Sequence, residues 1–121
     1  MAWTVVYFVD KDGSVPVAEF EDTLSEEHAA KLRAFYGYVC ERQWAAGGGI
    51  FEAVHGFPDL FEIRAKRGKT LARVFCAVDK ERERLVLLHG FAKGIEDATP
   101  PAELEAAAAN LTRYRVADNV K

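Results

Sequence analysis

The residues with the most chemical promise in this chain are cations set in apolar surroundings: Arg64, Lys66, Arg73 and Lys93, with His89 near them. Arg64 and Lys66 alternate with Phe61, Ile63 and Ala65, and that period of two places them on one face of a strand. Arg73 stands inside Ala-Arg-Val-Phe-Cys, and arginine is rarely buried without a partner. Cations arranged this way can cleave RNA without a metal. The 2′-hydroxyl attacks the neighbouring phosphate, charge builds on the non-bridging oxygens, and the leaving 5′-oxygen needs a proton. A guanidinium matches phosphate geometry through paired hydrogen bonds and stabilises that charge. A lysine or histidine can move the protons where its site lowers its pKa. Each residue also has a plain structural reading: an ion pair for Arg64, and a packed, hydrogen-bonded ring for His89 between leucines and a glycine.

Charge is unevenly spread. From Leu60 to Lys93 nine Lys/Arg face four acids, a net of +5, although the whole chain carries −3. A polyanion-binding surface needs such a concentration, because covering phosphates releases counterions. A solvated hairpin with lysines guarding its edge is the plainer reading for the hairpin tips, Lys80–Arg84 especially. Other chemistries lack their motifs. Gly47-Gly48-Gly49 leads into Ile50 and Phe51 rather than a Lys-Ser/Thr helix start, so no phosphate loop is formed. No Gly-x-Ser-x-Gly elbow occurs, and neither Cys40 nor Cys76 adjoins a histidine. His28, His55 and His89 are scattered, so neither a metal nor a cofactor is expected. Glu52 and Glu62 are the carboxylates within reach of hydrolase work, without an evident partner for either.

The elements that must hold these residues are readable in order. At 121 residues, half of them hydrophobic, the chain suits a single globular domain. Trp3–Val9 is β-branched and aromatic, a strand by composition. Ser14 is placed to cap a short helix with Pro16 in its first turn and Val17, Phe20 and Leu24 on its apolar side. Ser25 is placed to cap a longer helix bearing Glu26 and Glu27 in its first turn. Its stripe runs through Ala29, Leu32, Phe35/Tyr36, Val39/Cys40 and Trp44, and the three glycines stop it. Ile50–Asp59 reads as a loop. Three strands follow, Leu60–Lys66, Leu71–Asp79 and Arg84–Phe91, the last apolar on both faces and therefore central. Thr99 is placed to cap a final helix with Pro100 at its first position and Leu104, Ala107/Ala108, Leu111 and Tyr114 on its apolar side. The expected order is β-α-α-β-β-β-α, an α+β fold with helices packed on a mostly antiparallel sheet. Both cysteines are expected as buried free thiols, and neither a signal peptide nor a membrane-length run is evident, so a cytoplasmic location is expected.

The ordered strings PVAEFEDTLSEE, LFEIR, ARVFCAVD, RLVLLHGFAKG and TPPAELEAA, spanning about Val15 to Tyr114, resemble the RelE/ParE toxin superfamily of bacterial type II toxin–antitoxin systems. Within it the resemblance is to the HigB-type, phage-derived branch. The resemblance implies a RelE-like fold and a growth-arrest toxin that cleaves mRNA in the ribosomal decoding site without a metal. By position it assigns catalysis to Arg73, Lys93 and Arg64. The basic residues Lys66, Arg67 and Lys69, with His89, are the candidate RNA contacts. A helix-turn-helix antitoxin, the ribosome and mRNA are the implied partners, and no membrane is involved. Two other functions fit the same scaffold: a non-enzymatic, ParE-like inhibitor of DNA gyrase, and a phage-derived host-interaction protein without toxicity.

Overall fold

Runs of Val, Phe and Leu build a five-stranded sheet in the computed structural model, which describes residues 2–121. The strands are β1 (Thr4–Tyr7), β2 (Phe51–Ala53), β3 (Phe61–Arg67), β4 (Thr70–Asp79) and β5 (Arg84–Gly94). Their order across the sheet is β1-β5-β4-β3-β2. β1 runs parallel to β5 and every other pair is antiparallel, so the sheet is mixed rather than purely antiparallel. β5 is interior and covered on both faces, with Leu85, Val86, Leu87 and Leu88 all fully buried, but the centre of the sheet is β4 rather than β5.

Helices α1 (Pro16–Asp22) and α2 (Glu26–Arg42) cover one face, where Leu32, Tyr36 and Val39 meet Ile63, Val74, Leu85 and Leu87. Helix α3 (Pro101–Ala117) covers the other, where Ala107, Leu111 and Tyr114 meet Phe75, Ala77, Val86 and Leu88. This is the α+β layering expected from the sequence. Both cysteines are free and buried, and burial pushes each thiol above its ordinary pKa.

Several local expectations need correction. The segment read as a loop contains β2, whose three residues pair antiparallel with Phe61–Ile63. A strand that short shows no periodicity. Ser25 does cap α2, its hydroxyl oxygen accepting from the His28 amide at 3.1 Å. Ser14 does not cap α1: its hydroxyl donates to Asp12 Oδ1 at 2.7 Å and Val15 is the N-cap. Thr99 does not cap α3, which starts after Pro100. Helix α2 ends at Arg42, before the glycines, because Gln43 adopts a φ of 54° and a 3-10 turn follows. Trp44 therefore leaves the buried stripe and is 51 % exposed, edge-on to Trp3. β1 stops at Tyr7. At its end Tyr7 and Lys121 exchange backbone hydrogen bonds and the following Phe8 bridges Val120, so residues 120 and 121 close the outer edge of β1. β5 runs on to Gly94, which puts Lys93 inside the strand rather than past it.

One irregularity matters for function. Phe75 pairs with His89 but Cys76 pairs with Leu87, so Leu88 is an extra residue in β5. Such a bulge reverses the alternation beyond it. Val86 and Leu88 face α3, and unbroken alternation would send His89 to the opposite side. Instead His89 also faces α3 and stacks on Phe75 at 6.4 Å. Gly90 consequently meets α1.

Helix α1 is held by a buried carboxylate. Glu21, 7 % exposed, accepts from the hydroxyls of Tyr7 and Tyr36, both at 2.8 Å, and pairs with Arg33 at 3.2 Å. Burial first, and then Glu21, push both phenols above their ordinary pKa. A phenol whose folded pKa is raised contributes stability that is intact below its unfolded pKa and lost as pH rises beyond it. Urea unfolding is therefore expected to show undiminished stability up to about pH 10 and a steep decline above it. Tyr36→Phe should make that decline shallower, and an equally steep decline in the variant would contradict this assignment.

Candidate functional site

The strand register sorts the sequence-derived candidates into rows on the α3 face. Reading across β3, β4 and β5, the first row is Glu62, Phe75 and His89. The second is Arg64, Arg73 and Phe91, and the third Lys66, Leu71 and Lys93. Directly opposed residues on neighbouring strands share a face and stand about 5 Å apart. Five candidates are thus brought together: Arg64, Lys66, Arg73, His89 and Lys93. Arg67 is not among them, since it alternates to the other face and pairs with Glu27 of α2. Lys69 lies exposed at the hairpin end, its carbonyl accepting from the Ile95 amide at 3.1 Å.

Arg73 is the most unusual of the set. It is 7 % exposed, Nη2 donates to the Asp97 carbonyl at 3.0 Å, and Nη1 is buried without a hydrogen-bond partner among the described residues. An orphaned buried donor on a cation is costly, which makes this arrangement poor as a stabilising device. The loop after β5 covers it. That loop turns tightly where the Asp97 carboxylate accepts from the Gly94 amide at 3.1 Å. Beside it lies an open cavity of about 460 Å³ lined by Lys69, Gly94, Ile95, Glu96 and Asp97.

Arg64 matches its structural reading. Nη2 pairs with Glu52 at 2.9 Å, Nη1 approaches Glu62 at 3.8 Å, and Nε donates to the Gly49 carbonyl at 3.2 Å. Its charge is largely answered within the protein. Glu62 is more informative. Burial pushes its carboxyl above the usual carboxylate range, the guanidinium groups of Arg64 and Arg73 oppose that rise, and Glu52 adds to it. A carboxyl poised this way, one row from Arg73, suits proton transfer. The sequence offered Glu62 without a partner; only the register shows one.

His89 is hydrogen-bonded, as its structural reading held. Its Nε2 lies 2.7 Å from Glu103 Oε1 in the first turn of α3. From sequence Glu103 signals only an acid favourable to a helix N-terminus. Its contact with His89 depends on the bulge in β5, which leaves no trace in the pattern.

At the opposite end of the α3 face lies a larger cavity of about 510 Å³, near Asp79, Arg82, Tyr114 and Arg115. Its polar groups serve one another. The Tyr114 hydroxyl donates to Asp79 at 2.6 Å, and Arg82 and Arg84 both pair with Asp118. Although burial opposes it, hydrogen bonds from Tyr114 and Arg82 hold the Asp79 carboxyl below its usual range. This lattice ties the β4–β5 turn to α3 and absorbs two of the basic residues counted in the sequence.

A mixed sheet with two helices on one face and one on the other is the RelE-like fold. The structure of an arginine-to-alanine double mutant of the E. coli toxin RelE in the free state superposes with a TM-score of 0.58, covering 93% of this chain and 98% of that one. Identity is 17%, so the likeness speaks for the fold alone. The family described as phage derived protein Gp49-like matches residues 19–112, and the chain belongs to that family. No curated protein matches.

Proposed function

We propose that this protein is the toxin of a type II toxin–antitoxin pair, of HigB type, and that it cleaves mRNA on the ribosome. Membership of a phage-derived family and the RelE-like fold support a toxin. The observation that carries the cleavage reading is Arg73: a buried guanidinium whose Nη1 lacks a partner, one row from Glu62 and diagonal to Lys93. A phosphate supplies the acceptor that Nη1 lacks, and its oxygens can replace the Asp97 carbonyl on Nη2.

In this reading Glu62 takes the proton of the 2′-hydroxyl as it attacks phosphorus. Arg73 and Lys93 hold the charge gathering on the non-bridging oxygens. Arg64 orients Glu62 and keeps Glu52 from repelling the substrate. Lys66 and Lys69, exposed at the strand ends, bind the RNA backbone by charge. The partners are the ribosome, its mRNA, and a helix-turn-helix antitoxin whose acidic segment covers the basic face. Cytoplasmic action follows from those partners, and no helix among the described residues is long and apolar enough to cross a membrane.

Lys69→Ala is expected to weaken ribosome binding and reduce its salt slope by about one, with the single-turnover rate unchanged. Lys93→Ala should instead slow the chemical step. A second reading, ParE-like inhibition of gyrase by protein contact, is favoured by the cover over Arg73. Inducing the chain in bacteria and mapping mRNA 5′ ends by primer extension separates the two. Codon-phased cleavage is expected; a DNA-damage response with intact mRNA would establish the gyrase reading.

A further inference from the structure

We infer that His89 and Glu103 form a proton-transfer pair, in which His89 protonates the leaving 5′-oxygen and Glu103 is its positioning residue. The inference rests on the RNA-cleaving reading and adds the acid that reading lacks. Three observations carry it. First, the β5 bulge is what sends His89 to the α3 face, and bulges commonly re-aim a side chain at a functional position. Second, the ring is fixed from two sides, stacked on Phe75 with 12° between planes and held at Nε2 by Glu103 at 2.7 Å. With the carboxylate accepting, Nε2 donates, and Nδ1 has no hydrogen-bond partner among the described residues. Third, His89 lies diagonal to Arg73 on the neighbouring strand, and diagonal pairs are about 7–8 Å apart, the span of a bound phosphodiester.

The step balances without a co-reactant. The 2′-oxygen bonds to phosphorus and its proton passes to Glu62. The bond from phosphorus to the 5′-oxygen breaks, the electron pair leaves with that oxygen, and the imidazolium of His89 gives it a proton through Nδ1. The products are a 2′,3′-cyclic phosphate and a 5′-hydroxyl. Exchange with water then returns the proton from Glu62 and reprotonates His89.

The charged groups around His89 are Glu103 from α3, Arg73 from β4, Glu62 from β3 beyond Phe75, and Lys93 further along β5. Of these Glu103 alone is hydrogen-bonded to the ring. Removing that hydrogen-bond acceptor should free the ring from its fixed orientation and slow the chemical step without changing substrate binding.

The test is single-turnover cleavage on mRNA-programmed ribosomes as a function of pH, for the wild type, His89→Gln, Glu103→Gln and Glu103→Asp, with thermal melts beside them. His89→Gln is expected to lower the rate about 10²–10⁴-fold and flatten the alkaline limb. Glu103→Gln should lower the single-turnover rate at unchanged KM, and Glu103→Asp should restore it in part. If the wild type cleaves and both glutamine variants keep its rate and profile, the pair merely ties α3 to β5 and this inference fails while the cleavage reading stands. If the wild type leaves the mRNA intact at every pH, both fail together.

Discussion

Arg73→Met is expected to lose about 10²–10³-fold in cleavage rate, the usual cost of removing one preorganised charge donor, without losing thermal stability. The two halves of that expectation have different origins. The loss of rate follows from taking away the guanidinium that meets the phosphate. The retained stability follows from the state of Arg73 in the folded chain: 7 % exposed, one terminal nitrogen bonded to a carbonyl and the other orphaned. Replacing such a buried cation with an apolar side chain of similar length is often neutral or stabilising. Methionine fits irregular space, so no large cavity should open beneath Phe91. A structural arginine would behave oppositely, with the melt falling and the rate following it only through unfolding. Paired melts and single-turnover rates distinguish these outcomes.

Gly90→Ala is expected to be among the most destabilising small substitutions in the chain. A Cβ there would sit 2.1 Å from Cδ2 and 2.3 Å from Cγ of Phe20, deep inside an aromatic ring rather than at its flexible end. The ring has little freedom to withdraw, because α1 is pinned by Glu21 to Tyr7 and Tyr36. Overpacking of this kind costs about 1–3 kcal/mol, and here α1 must lift from β5. Phe20→Ala alone leaves a cavity, yet in combination with Gly90→Ala it should recover most of the loss. Additive losses in the double-mutant cycle would mean that the two residues do not collide.

The same glycine marks where the sequence could be read and where it could not. The strands of the hairpins were legible because Phe61, Ile63 and Ala65 alternate with Glu62, Arg64 and Lys66, and pattern of that kind fixes which face each cation takes. That is why Arg64 and Lys66 could be given one face, whereas Arg73 stood out only as a cation in an apolar strand and joins them through the register. The bulge at Leu88 was not legible, since an inserted apolar residue in an apolar run disturbs no pattern. With it went the orientation of His89, the contact with Glu103 and the approach of Gly90 to Phe20. Helix ends were read from glycines and hydroxyls that suit caps. Gln43 ended α2 earlier by taking a φ of 54°, and Ser14 found Asp12 nearer than the helix. Glu62 was visible as a residue but not as a poised group, because its raised carboxyl comes from burial and from Glu52 on the neighbouring strand, against the pull of two arginines.

The central claim is that the α3 face, with Arg73 at its middle, performs RNA cleavage on the ribosome. Purified protein incubated with ribosomes carrying a defined mRNA in the decoding site tests it most directly, with the mRNA ends identified chemically. A single cut within the decoding-site codon is expected, leaving a 2′,3′-cyclic phosphate and a 5′-hydroxyl, together with its loss in Arg73→Met. Intact mRNA, or cleavage that persists unchanged in Arg73→Met, would contradict it.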